Sequence, residues 1–272
     1  MLRCCYAPRR IDLKFLRKKK AIRLAQLAPA CPGPDCPEED PMRIHVIGGG
    51  WVTAAGCGCI GGGTRLQLTP GVPAVPPPAE IYARPPQRYR RFDGYCRIGC
   101  AAIALALRDA GMDGAEAARP VGIIASTRYG CFDTDLAFQA TAVEDNGIYA
   151  SPGIFAYTLP GIALAEAAIL FRLTGPIFTV GDPAAERGRR AIQVGVDLLA
   201  SGACPVVLTG WIDADSRRLR RRAEDDDGLR GAVFVVLSTG DTPKKVREIT
   251  PQGTELILES GERVRSILDV AG

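Results

Sequence analysis

The sequence predicts an α/β fold with a mixed or mostly parallel central sheet and helices on both of its faces. Three observations predict it. Short β-branched runs alternate with longer helix-like segments through residues 42–238, and strands connected through helices run parallel. The 272-residue chain is 47% apolar but only 6% aromatic, which suits a substantial core of aliphatic side chains. Two helix-like segments, 95–110 and 161–171, are apolar almost all round, as expected of helices enclosed between layers.

Residues 1–41 differ from the rest. Arg17, Lys18, Lys19, Lys20 and Arg23 fall in a stretch, 11–27, with the pattern of a short basic amphipathic helix. The run APACPGPDCPEEDP that follows is a linker by composition. The segment reads as a flexible basic extension and Pro-rich linker, or as a product of start-site choice, because Met42 directly precedes the first strand. The alternative is a helix that docks on a partner or an anionic surface.

The body, 42–272, opens with a short strand at 43–47 running into glycines. Residues 53–63 are small and glycine-rich, and the Pro- and Arg-rich run 68–91 lacks periodicity and reads as an irregular excursion. A buried helix is expected over 95–110, ended by Gly111, then a strand over 121–126. Asp133 is placed to cap a helix over 134–145, because its carboxylate accepts the free amide hydrogens of a first turn. An apolar helix over 161–171, a strand over 177–180, a helix over 186–200 and strands over 204–210 and 232–238 follow. The charge-segregated segment between these last two strands reads as a solvent-facing loop. Residues 246–249 and 255–258 suit a hairpin around TPQG.

Composition excludes several classes. The net charge of +4 comes largely from the N-terminal cluster, and the body has no basic stripe interleaved with stacking aromatics, so nucleic acid is not an expected partner. No run of about 18 apolar residues offers a transmembrane segment. Residues 1–27 lack a secretory pattern, so the ten cysteines are expected to be free thiols in a reducing cytoplasm. The best metal quartet on paper is Cys4, Cys5, Cys31 and Cys36, but no CxxC pair exists and no metal or other cofactor is expected. Cys96 and Cys100, four residues apart in an apolar helix, read as buried thiols. Neither GGG, at 48–50 or 61–63, fits a dinucleotide or phosphate-loop pattern.

In order and spacing, several segments resemble the N-terminal half of the β-ketoacyl-acyl carrier protein synthases, members of the thiolase-like superfamily. Ala150, Ser151, Pro152 and Phe155 match the family's ASP…F loop, and Leu173, Gly175, Pro176, Thr179 and Val180 match its L.GP…TV strand. Residues 198–213 match its L.SG…LAGG.D strand and turn, and 42–56 its opening strand. The resemblance spans roughly 42–238 and implies one thiolase-like half-domain, without the second half of the family's chain. It places the nucleophilic cysteine just after GPIFTV, at the start of the next helix, which falls on Ala184, Ala185 or Glu186; residues 181–203 contain no cysteine. Glu186 invites comparison with relatives in which an acidic or amide residue assists decarboxylation, but it also suits a plain first-turn carboxylate.

The only histidine, His45, reads as a packed or surface side chain, and one histidine cannot supply the family's pair. Asp182, Asp213 and Asp215 are acid–base candidates with ordinary turn or loop readings. The resemblance implies a catalytically silent ketosynthase-like subunit in fatty-acid, polyene or polyketide-type synthesis. Its partner is expected to be a second copy or a ketosynthase-like chain, with an acyl carrier protein as a further candidate. Pro176–Val180 would be the dimerising strand, and with Phe155 and Phe178 it marks an acyl-pocket or interface region. The alternatives are half of a split condensing enzyme completed by another chain, a module that binds an acyl chain or acyl carrier protein, and a divergent relic.

Overall fold

The computed structural model describes residues 42–114, 116–214, 227–240 and 244–272. The basic extension with its four cysteines, and Asp215, lie outside the described residues. The elements are β1 (Ile44–Thr53), β2 (Gly56–Cys59), α1 (Pro78–Ile81), α2 (Gly94–Asp109), β3 (Val121–Thr127), α3 (Phe132–Val143), α4 (Pro152–Phe155), α5 (Ile162–Phe171), β4 (Ile177–Gly181), α6 (Arg189–Ala200), β5 (Val206–Asp213), β6 (Gly231–Ser238), β7 (Arg247–Gln252), β8 (Glu255–Leu258) and α7 (Ile267–Ala271).

One eight-stranded sheet has the order β4-β3-β5-β6-β1-β7-β8, with β2 folded back on β1. The β3–β4 and β3–β5 pairs are parallel, as the helical crossovers demand. All other pairs are antiparallel, including the β7–β8 hairpin expected around TPQG. The sheet is therefore mixed. One face packs on α2 and α5 through Ile103, Leu107, Leu164, Ile123 and Leu208. The other packs on α6 and α7 through Ile192, Val196, Ile267, Trp211 and Val235.

The first strand is twice the expected length. It runs through Gly48, Gly49 and Gly50 instead of stopping at them. The reason is packing: a β-carbon on Gly50 would meet the Ala106 backbone nitrogen at 2.4 Å, and one on Gly48 would meet that of Ala110 at 2.5 Å. Glycine lets α2 lie directly against β1, so these residues are strand interior and not turns. Asp93 caps α2, its Oδ1 accepting from the Cys96 amide at 2.8 Å. Of the two apolar helices, α2 is enclosed between strands and α5, whereas α5 leaves Ile169 70% exposed.

Two helix starts differ from expectation. The third helix spans Phe132–Val143 with Cys131 at its N-cap, and Asp133 sits in the first turn without capping it. The helix after β4 begins at Arg189, because Gly188 holds φ 84°, a left-handed conformation that residue types with a β-carbon adopt at a cost. Residues 184–186 form a separate 3₁₀ turn, so Glu186 precedes the helix instead of opening it. The short α7 was not expected. Ser266 and Asp269 form a reciprocal capping box at its start, which stabilises a helix of only five residues.

Candidate functional site

The topology itself singles out one location. β3 leads through α3 and α4 to α5, which packs on one face of the sheet, and its parallel neighbour β4 leads to α6 on the other. The chain therefore diverges at the carboxyl ends of β3 and β4, where open α/β sheets form their ligand crevices.

This end of the sheet holds a dense buried polar network. Ser126, the penultimate residue of β3, donates its hydroxyl to Asp182 Oδ2 at 2.7 Å. The Gly188 amide, at the start of α6, donates to Ser126 Oγ at 3.0 Å and also to Asp182 Oδ2. Asp213, which ends β5, accepts from the Thr127 hydroxyl at 2.9 Å, the Arg128 and Tyr129 amides at 2.9 and 3.1 Å, and Trp211 Nε1 at 2.7 Å. Burial pushes the Asp213 carboxyl above the usual carboxylate range, and these four donors oppose the shift. Asp182 is raised for the same reason, against the pull of Ser126 and Gly188.

Three arginines close the crevice. Arg187 pairs with Asp227, and its guanidinium lies 5.9 Å from the Trp211 ring. Burial lowers its pKa, while Asp213 and Asp182 hold the charge. The guanidinium carbons of Arg230 and Arg128 lie 5.2 and 5.1 Å from the Tyr129 ring centre. Arg230 is only 1% exposed. The space left among these side chains is a cavity of about 10 Å³, room for one water and no substrate. As arranged, the network fixes the loops leaving β3 and β4; it presents no open reaction chamber.

Glu186 pairs with Arg190 at 3.5 Å. Ala185 is exposed beside it on the 3₁₀ turn, and Ala184 opens that turn. Of the acid–base candidates, Asp182 and Asp213 come together in the network with deeper burial than a turn reading implied. His45 lies at the opposite end of the sheet, cross-strand from Glu248, with Nδ1 3.9 Å from Glu248 Oε2. No thiol stands at the start of α6. Cys131 is the cysteine nearest the loop after β3, but it is 3% exposed, and burial with the charges of Asp93 and Asp135 raises its pKa well out of the thiolate range at neutral pH. Cys96 and Cys100 are buried with sulfurs 3.8 Å apart, and Cys100 donates to the Ala163 carbonyl at 3.2 Å.

Phe155 and Phe178 do not wall an enclosed tunnel. Phe155 is 58% exposed, with its ring centre 5.0 Å from that of Phe138 and tilted by 50° to it, and Phe178 is 39% exposed on the edge strand β4. Pro176 and Val180, at the two ends of that strand, are half-buried. Sequence reasoning missed Ser126, Thr127, Arg187, Trp211 and Arg230 as members of one cluster. The spacing of Trp211 and Asp213, on one face of a strand, was the only local signal; the rest is assembled by topology.

A family model described as "Beta-ketoacyl synthase, N-terminal domain" matches residues 76–223, more than half of the chain. A search of the curated proteins finds no match. Among solved structures, the ishigamide ketosynthase/chain length factor superposes with a TM-score of 0.59 at 16% identity, over 76% of this chain and 65% of that one. A β-ketoacyl synthase from Burkholderia phymatum STM815 gives 0.56 at 18% identity, over 76% and 63%. A type II polyketide synthase acyl-carrier protein in complex with its ketosynthase bound to the hexaketide gives 0.59 at 17% identity, over 78% and 68%. These likenesses show a shared thiolase-like fold, and the chain spans about two thirds of each of these three structures.

Proposed function

From the premise that this chain belongs to the β-ketoacyl synthase N-terminal domain family, we propose that it is a non-catalytic ketosynthase-like subunit of a fatty-acid, polyene or polyketide-type pathway. One observation carries the reading. The crevice at the ends of β3 and β4 lacks a thiol at the start of α6 and is filled by the Asp182, Asp213, Arg187 and Arg230 network down to about 10 Å³. Acyl transfer to a cysteine needs an accessible thiolate with room for the thioester, and neither is offered here.

A supporting subunit needs a surface for its partner. The outer edge of β4 is unpaired among the described residues, and Ile177 and Phe178 on it are 37% and 39% exposed. An uncharged edge strand of this kind is a template for pairing with another chain. The proposed partner is a second copy or a ketosynthase-like chain joined along β4, with an acyl carrier protein engaging the resulting complex. Ala184, Ala185 and Glu186 then occupy the position of a degenerate nucleophile loop, and Pro176, Phe178, Val180 and Phe155 belong to the interface region.

The split-enzyme alternative finds less support. A helix pressed between two halves is apolar all round. By contrast, α6 buries Ile192, Val196 and Leu199 and turns Arg190 and Asp197 to solvent.

The test is native mass spectrometry of the chain purified gently from its own host, with a condensation assay on malonyl and acyl thioesters. A stoichiometric ketosynthase or carrier-protein partner, and no product from the purified chain alone, is the expected result. Condensation by the chain alone overturns the reading.

A further inference from the structure

A second concave site lies on the other face of the sheet, where the irregular excursion crosses the start of α2. It is a cavity of about 370 Å³ between Val72, Val75, Tyr89, Arg97, Ile98 and Ala214. That volume falls in the range of small-molecule sites, about 300–1,000 Å³. Its lining side chains are aliphatic or aromatic except for Arg97, which enters from the first turn of α2.

Arg97 is the anomaly. Its guanidinium carbon lies 5.5 Å from the Tyr89 ring centre. Its Nε is buried and has no hydrogen-bond partner. Among the described residues the group forms no ion pair. The nearest carboxylate in sequence, Asp93 one turn earlier, has its oxygens taken by the Cys96 amide and the Thr134 hydroxyl. A guanidinium held against an aromatic ring, with its Nε unpartnered and mostly apolar side chains beside it, is an incomplete recognition site.

We propose that this cavity binds a small organic monocarboxylate with an apolar body. The carboxylate accepts from Arg97 and the body lies along Val72, Val75 and Ile98. One planar guanidinium matches one carboxylate in a two-bond fork. A phosphate dianion would need several further donors, and beside Arg97 only Tyr89 among the lining side chains carries one. The inference does not rest on the ketosynthase reading: it uses neither the β4 edge nor the loop before α6.

The experiment is calorimetric titration of the full chain with octanoate, and with octanol as its uncharged twin. Octanoate is expected to bind and octanol to bind at least tenfold more weakly. Arg97→Gln is expected to weaken octanoate at least tenfold while leaving the octanol affinity unchanged. Val72→Glu, at a rim position that is 60% exposed, places a like charge beside the ligand and is expected to weaken octanoate tenfold as well. This second variant decides the matter if Arg97→Gln does not fold. Absence of octanoate binding at millimolar concentration, equal affinity for octanol, or octanoate affinity unchanged in the folded variant overturns the proposal.

Discussion

Asp213 shows how one side chain holds the site together. Its two oxygens take four donors, three from Thr127, Arg128 and Tyr129 and one from Trp211, two residues earlier on its own strand. Replacing it with alanine strands all four in a buried place, at about 1–3 kcal/mol for each orphaned group with partial relief by water. Asp213→Ala is expected to lower stability by at least about 3 kcal/mol in urea unfolding, and Asp213→Asn by less. Asp182 tests the sign of burial. Its pKa in the folded chain lies above the ordinary 3.8, so its contribution to stability is fullest below that value and is lost as pH rises through the folded pKa. Asp182→Asn, which cannot ionise, is therefore expected to gain stability relative to wild type as pH rises from about 4 to 7. Glu248 has the opposite sign. Lys245, Arg43 and His45 hold its carboxyl below the usual range, so its contribution is present at neutral pH and fades as pH falls through that lowered value. Thermal unfolding across this window, with Glu248→Gln beside Asp182→Asn, separates the two. None of these roles was legible in the sequence. Asp182 and Asp213 were visible as carboxylates near turns, but Ser126 and Thr127, whose hydroxyls they accept, lie 56 and 86 residues away in the chain.

At the level of elements, periodicity and composition served where a segment buries a whole surface. The long helix at 94–109, the apolar helix after it and the strands at 121–127 and 231–238 lie within a few residues of their expected positions. Failures arose where a local rule met a tertiary demand. The glycines of β1 look like turn residues, yet they serve a close contact with α2. Gly50→Val is accordingly expected to cost about 2–3 kcal/mol through overpacking against Ala106 and Leu105, read in chemical denaturation, because the helix backbone cannot move aside. The five-residue α7 has too few turns to show a period. The edge strand was legible from its uncharged sequence. If β4 joins two chains, Phe178→Lys should shift the sedimentation of the protein towards monomer at micromolar concentration while leaving its unfolding midpoint close to wild type, since the ring is 39% exposed in the single chain. Unchanged sedimentation of an oligomer would place the interface elsewhere.

Across the whole molecule, the two faces of the sheet carry separate cores, and the C-terminal segment completes only one of them. β7 and β8 extend the sheet past β1, and α7 lays Ile267 and Val270 on the face shared with α6. The α/β class and the family resemblance were both readable from the order of segments, because alternation of strands and helices is written along the chain. The filling of the crevice was not, because it depends on where Arg187 and Arg230 meet in space.

The packing of α7 on the start of α6 also bears on how this chain could change. A side chain at Gly188 would have to adopt φ 84° and would place its β-carbon 2.6 Å from that of Ile267, whose amide donates to the Arg187 carbonyl at 2.8 Å. A thiol at Gly188, the residue that leads into α6, is therefore not a single-step substitution, unlike one at exposed Ala185 in the turn before it. The descendant would first have to loosen its C-terminal helix, losing stability before any reactivity appeared. For natural selection acting one residue at a time, the intermediate lies in a valley, and the fold behaves as a ratchet that favours keeping the helix start closed.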